Sequence, residues 1–215
     1  APASGGPIWA GYPEVYRSPY FWRWGIAAVA LQATFVALQT LWAGPWFTQV
    51  LGLSPGAAAG ALFGFNIVLL LGYLTLGALT PVFERRGWPL LRVVLVGASI
   101  TVGLQALIAV VHAPWAWALW LPMGLASTCF TLIQTHVAMT FPAQLTGRAF
   151  TAFNLLVFVG IFVCQWLFGV AVDAFRGMLG STVAGFQASL LVWVGVQLAG
   201  LVVLARWRVK PASAS

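Results

Sequence analysis

Few side chains in this sequence could do chemistry, and their spacing excludes most of it. Ser127, His136 and Asp173 are the residues from which a nucleophile, a base and an orienting acid would have to be drawn. A Ser–His pair must lie within hydrogen-bond reach. Ser127 and His136 are nine positions apart on one predicted helix, which at about 100° per residue puts them on opposite faces. Asp173 belongs to the opposite membrane side from His136, so no triad closes. No cluster has metal-ligand spacing either, and the chain reads as a non-enzyme without cofactor or metal. Cys129 and Cys164 each sit inside an apolar run, where a free cysteine behaves as a small buried hydrophobe. The other candidates are neutral: Gln32, Gln39, Asn66, Tyr73, Ser127, Thr131, Gln134, Asn154 and Gln165, all within apolar stretches. Such groups either meet a ligand or bridge helices.

The elements that must position them are set by composition. Of 215 residues, 61% are hydrophobic and only 6% charged, against about 25% charged in soluble domains. The mean hydropathy of +0.96 agrees that lipid is the solvent for most of the chain. A net charge of +7 could suggest nucleic acid, but the arginines stand singly or in short clusters between apolar runs. No basic patch with interleaved aromatics occurs, so a nucleic-acid partner is excluded. Apolar runs at about 24–43, 56–81, 90–111, 116–140, 149–171 and 185–205 are each long enough to cross a core of about 30 Å. Gly44-Pro45, Ser54-Pro55, Gly87 with Pro89, Pro114, Pro142 with Gly147, and Gly177 with Gly180 separate them. Ser54-Pro55 reads as a helix start, with a capping oxygen before a first-turn proline. Residues 1–21 read as a polar tail or linker rather than a cleavable signal, 22–207 as the transmembrane bundle and 208–215 as a second tail.

Six spans put both termini on one side. Of the ten Lys and Arg, all but Arg176 fall on one set of loops, so the positive-inside rule places both ends in the cytoplasm. Trp22, Trp24, Trp88 and Trp207 then mark the inner interface, and Trp42, Trp46, Trp115, Trp117 and Trp120 the outer one.

The chain also repeats itself. "FNIVLLLG" from Phe65 and "FNLLVFVG" from Phe153 share Phe, Asn and Gly at an offset of 88 residues. Three spans per repeat is odd, so the second triplet enters from the opposite side, as inverted repeats of secondary transporters do.

Pro142–Asp173, "PAQLTGRAFTAFNLLVFVGIFVCQWLFGVAVD", resembles the eleventh helix, and the connection before it, of major facilitator superfamily transporters. Gly52–Gly87 resembles their eighth helix and the cytoplasmic loop after it. Gly77, Leu79, Arg85 and Arg86 match the superfamily's loop motif, while Pro81 and Glu84 replace its Asp and a Gly. "QTLWAGPWF" (39–47) is similar to bacterial members described only as permeases. The resemblance covers residues 20–210, six helices of an expected twelve. It implies an all-α membrane protein of two inverted three-helix repeats, the C-terminal lobe of a secondary transporter in a bacterial inner (plasma) membrane. The implied partners are a missing N-terminal six-helix lobe, the lipid bilayer and a small-molecule substrate. Residues 1–21 would end the central cytoplasmic loop, and Gly77, Arg85 and Arg86 would form a gating loop whose charge relay the replacements put in question.

On spacing, Gln32, Gln39 and Trp42 share one side of the first span, with Phe35 between. Ser127, Thr131 and Gln134 share a face of the fourth. The resemblance makes both helices cavity helices, so Gln32, Gln39, Trp42, Thr131 and Gln134 become candidate substrate contacts. Structural hydrogen bonds are the alternative, including hydroxyls bonded back to their own helix. Gly56, Gly60 and Gly64 at strict fours form a ridge that lets a backbone approach, expected with Asn66 and Asn154 at the lobe interface. Asn154, mated to Asn66 in the repeat, reads as an amide clasp between helices or lobes. Gln165 has no repeat mate and is the better ligand candidate. Gln105 and Gln197 read as supports, and His136 as a helix-end histidine bonded to a neighbour or the one ionisable group inside a pathway. These neutral contacts point to a neutral or weakly polar solute, or a cation held by tryptophan faces. The rival reading is a non-transporting membrane assembly or sensor subunit on the same fold.

Overall fold

A computed structural model describes Trp9 and residues 11–207. The ends of both expected tails, with Arg208 and Lys210, lie outside the described residues. A short α1 (Tyr12–Arg17) precedes six helices long and apolar enough to cross a membrane: α2 (Pro19–Val50), α3 (Pro55–Arg85), α4 (Leu90–Val110), α5 (Pro114–Met139), α6 (Ala143–Leu179) and α7 (Thr182–Arg206). No strand occurs among the described residues. This is the architecture of a multi-pass membrane protein.

Local chemistry starts the helices. Ser18, Ser54 and Ser181 each accept the backbone N–H three residues on, at 3.4, 3.3 and 3.3 Å, and proline follows the first two caps. This satisfies amides that a helix start leaves open. α6 stops at Gly180, whose φ of 66° suits a residue without Cβ.

The sequence boundaries need correction at three places. Residues 12–17 and 19–21, expected as tail, are helical, and Val15, Tyr20 and Phe21 are buried. Gly44-Pro45, expected as a break, lies inside α2. Proline there leaves a carbonyl one turn back without its donor. α2 absorbs this with π turns at Val29–Ala33, Leu38–Trp42 and Trp46–Val50. Thr34, Thr40 and Thr48 donate their hydroxyls to the carbonyls of Ala30, Val36 and Gly44, at 2.5, 2.7 and 3.1 Å. Side-chain donors thus supply carbonyls where the ladder is widened. Gly147 and Gly177 likewise fail to break α6, which spans 37 residues.

α2 and α5 form the centre. Half of each one's apolar window is buried, against 17% for α3 and 28% for α6, so α3 and α6 are flanks with uncovered sides. α3 and α4 pack on α5, α6 and α7 on α2, and α4 packs on α7. Four glycines set these approaches. A Cβ on Gly72 of α3 or Gly97 of α4 would collide with α5, at Thr128 and at the Ala126 carbonyl. One on Gly200 of α7 would collide with Ala30 of α2, and one on Gly160 of α6 would press on Val29 and Ala33 of α2 at 3.1 Å. Between α4 and α7, Gln105 and Gln197 exchange two hydrogen bonds of 3.0 and 2.8 Å, both side chains fully buried.

The tryptophan belts are only partly as expected. Trp22, Trp88, Trp115 and Trp207 are exposed, whereas Trp24, Trp46 and Trp120 are core residues. Trp46 meets Phe186, and Trp120 lies between Phe47 and Phe65. These rings close the end of the bundle remote from Arg85, Arg86, Arg148 and Arg206, because lateral packing there competes with the lipid interface for the indoles. Arg23, expected as a loop charge, is also buried. It donates to the Leu204 carbonyl at 2.8 Å and lies over the Trp24 ring, tying α2 to the last turn of α7.

Candidate functional site

The six mid-span amides outside the α4–α7 seam fall on four helices: Gln32 and Gln39 on α2, Asn66 on α3, Gln134 on α5, Asn154 and Gln165 on α6. All are partly or fully exposed. α4 and α7 instead carry the buried Gln105–Gln197 pair, and Gln187, which lies 3.4 Å from His112 near the far end. The open mid-span amides are thus carried by the two central helices and their flanks, and the buried amide pair by the other two helices.

One of these open amides belongs to a bonded group. Thr40 donates to Val36, so its oxygen accepts from Gln165 Nε2 at 3.0 Å. A hydroxyl has one proton, so this bond fixes which end of the Gln165 amide meets Thr40. The Trp42 indole donates to the Gln165 carbonyl at 3.1 Å. Its ring packs on Phe168 at 5.2 Å and lies over Gly169. These groups border a groove of about 440 Å³ between α2 and α6, lined also by Phe162, Trp166 and Asp173. The sequence singles out Gln165 and Trp42 separately. Thr40, which joins them, carries no signal of its own there, because it gains meaning only when α2 and α6 meet.

The expected stripe on α2 does not survive as one line. Phe35 faces Phe130 of α5, with ring centroids 6.1 Å apart, while Trp42 faces α6 and α7. The π turns are the reason, since each inserts an extra residue and rotates the helix beyond it. Gln32 keeps a buried Oε1 without a partner, a costly state for a carbonyl oxygen. Gln39 makes no side-chain hydrogen bond among the described residues and is half-exposed.

The α5 face divides similarly. A 3-10 turn at Thr128–Phe130 tightens the helix, and Ser127, Thr128 and Thr131 donate to carbonyls three residues back at 2.7–2.8 Å. Ser127 is buried, Thr131 exposed and Gln134 half-exposed. Thr131 and Gln134 remain open and Ser127 does not.

On α3, a Cβ at Gly56, Gly60 or Gly64 meets nothing within 4 Å. Asn66 donates back to the Leu62 carbonyl at 2.8 Å and is exposed. Asn154 makes no side-chain bond among the described residues, so the expected clasp between helices does not form inside this chain. Gly77, Arg85 and Arg86 are exposed, and neither arginine enters an ion pair among the described residues.

His136 bonds the Tyr20 hydroxyl, at 2.7 Å, and meets the Trp24 ring edge-on. It also borders a cavity of about 190 Å³ shared with Thr80, Glu84 and Trp88. By sequence Glu84 belongs to an inner loop. The helical continuation of α3 through Pro81 to Arg85 brings it to the same cavity as His136.

Comparisons with family models, with curated proteins and with solved structures find no match to the chain.

Proposed function

We propose that this chain is the C-terminal six-helix lobe of a secondary transporter of the major facilitator kind. It moves a small organic solute by alternating access against an N-terminal lobe, with the solute site where the lobes face each other. The observation that carries this reading is that mid-span amides on four helices stay open. Polar side chains at membrane depth face protein or a water-filled path rather than lipid. Here Gln39, Asn66, Gln134, Asn154 and Gln165 are not buried by the chain itself, so a second polypeptide face and a solute path fit there. The open glycine ridge of α3 suits close approach by a helix of that lobe.

The repeat supports the same reading. Phe65 and Gly72 press α3 onto α5, against Trp120 and Thr128. Phe153 and Gly160 press α6 onto α2, against Phe21 and Val29. Equivalent residues of the two triplets thus contact equivalent helices, as an inverted repeat requires. Solute contacts fall to Gln39, Thr131, Gln134 and Gln165, all neutral, so a neutral or weakly polar solute, or a cation held by tryptophan faces, fits the floor of the cavity.

The test is transport in lipid vesicles. The chain alone should show no solute accumulation, and the chain joined to an N-terminal six-span lobe should show uptake. In that assembly, Gln39→Ala and Gln134→Ala should each raise the half-saturating concentration about 3–10-fold, the effect of one hydrogen bond. Wild-type saturation in both would remove them from the site, and transport by the chain alone would overturn the two-lobe reading.

Placement in a bacterial inner membrane rests on the family resemblance, and placement of both ends in the cytoplasm on the arginine bias. Cys129 and Cys164 are buried, so an introduced thiol should dominate labelling. Arg86→Cys should react with a membrane-impermeant maleimide only in inside-out vesicles, and Arg176→Cys only in intact spheroplasts. The reverse pattern would invert the topology.

A further inference from the structure

We infer that the α2–α6 groove binds an organic cation, through aromatic faces and two oxygen acceptors. This deepens the proposed function by naming a solute class for its far-end portion, and it rests on that reading only for the claim that the bound cation is carried.

The groove's polar lining is one amide and one carboxylate, Gln165 and Asp173. The Trp42 N–H is bound to the Gln165 carbonyl, and one Gln165 amide proton to Thr40. Gln165 Oε1 and the Asp173 carboxylate are the acceptors of this lining. Asp173 is the one acid lining this groove. Among the described residues its ion pair is with Arg176, one turn along the same helix, at 3.3 Å, with side chains 71% and 56% exposed. Exposed pairs of this kind contribute about 0–1 kcal/mol, so a ligand cation can take the carboxylate from Arg176. Phe162 and Trp166 are 72% and 64% exposed, unusually open aromatic faces on a helix that also offers a carboxylate. Cations are attracted to such faces electrostatically, tryptophan most strongly. About 440 Å³ is within the usual range of small-molecule sites, roughly 300–1,000 Å³. An anion would meet the Asp173 carboxylate with repulsion, and a purely apolar solute would gain nothing from it.

The test uses the 215-residue chain in detergent, with binding read by tryptophan fluorescence and calorimetry. The probes are tetraphenylphosphonium, uncharged triphenylphosphine oxide and tetraphenylborate anion. Saturable tetraphenylphosphonium binding is expected, at least about tenfold tighter than either other probe, since a cation over an aromatic face and beside a carboxylate supplies that difference. Asp173→Asn and Trp166→Ala should each weaken it several-fold, and Trp166→Phe should recover part of the loss. Arg176→Gln should tighten it, because the competing guanidinium is gone. These positions are exposed, and an unchanged melting temperature confirms that each variant is folded.

Equal binding of all three probes, insensitivity to Asp173→Asn, or weaker binding in Arg176→Gln would overturn the inference. So would a groove that binds the cation in the isolated chain but is closed to it in every state of the two-lobe assembly, the result expected if a partner helix fills it. Cation binding without transport by the assembled lobes would instead remove the transporter reading and leave the site. Transport of a neutral solute with no cation binding would do the opposite.

Discussion

Gly97→Leu is expected to destabilise the bundle strongly, while Gly60→Leu leaves it intact. A Cβ at Gly97 would stand 3.0 Å from the Ala126 carbonyl oxygen and 3.0 Å from the Cys129 Cβ, so α4 cannot accept a side chain without moving off α5. Overpacking of this kind costs about 1–3 kcal/mol, and a leucine against backbone belongs at the upper end. Lost seating of α4 also strains the Gln105–Gln197 pair behind it. At Gly60 nothing lies within 4 Å, and substitutions away from packed features change stability by about 0.5 kcal/mol or less. Thermal unfolding of the detergent-solubilised chain, followed by its monodisperse fraction, separates the two. A Gly97→Leu chain melting as wild type would refute the α4–α5 approach. A Gly60→Leu chain that unfolds would show that the α3 ridge is packed within the chain. On the two-lobe reading, Gly60→Leu should abolish association with the N-terminal lobe while leaving this lobe folded, a combination that Gly97→Leu cannot produce.

The second large effect is at the α4–α7 seam. Gln105→Leu and Gln197→Leu should each destabilise the chain, and the double variant should be close to wild type. Each single change leaves a fully buried amide without its partner, and an orphaned polar group costs about 1–3 kcal/mol. Replacing both removes the desolvation problem as well as the bonds. Interhelical hydrogen bonds inside a membrane protein have averaged about 0.6 kcal/mol, with a maximum near 1.7. With each single loss at about 1 kcal/mol, the low end of the range for an orphaned group, and the double variant close to wild type, the coupling in a double-mutant cycle is about 2 kcal/mol. Additive losses would mean that the amides act independently, and that the α4–α7 contact is held by its apolar packing alone.

Much of the fold was legible. Apolar runs of spanning length located all six helices, and Ser54-Pro55 is the helix start it resembled. The ends were less legible, because glycine and proline mark breaks only where the backbone cannot recover. Pro45 is accommodated between the π turns at Leu38–Trp42 and Trp46–Val50. Gly147 sits within α6, whose packing on α2, α5 and α7 outweighs one weak helix former. Face assignments suffered most. A uniform 100° per residue put Gln32, Gln39 and Trp42 in a line and Ser127 beside Thr131. The π turns of α2 and the 3-10 turn of α5 changed the local pitch, which sent Trp42 toward α6 and Ser127 into the core.

Composition and apolar run length were enough to make the chain helical, house it in lipid and take it across six times. Twenty-odd apolar residues per run leave no other solvent and no other backbone pairing. The same residues limit the side chains available for a site to neutral amides, hydroxyls and indoles. Which amides are used internally and which stay open was settled by packing. Gln105 and Gln197 look no different in sequence from Gln39 and Gln165. The first two meet each other because Gly97 and Gly200 let α4 and α7 seat against the central helices. Gln165 gives an amide proton to Thr40 and borders the groove. An amide's role depends on which groups lie within about 3 Å of it, and residues 92 or 125 positions apart reach that distance only when the helices that carry them are packed together.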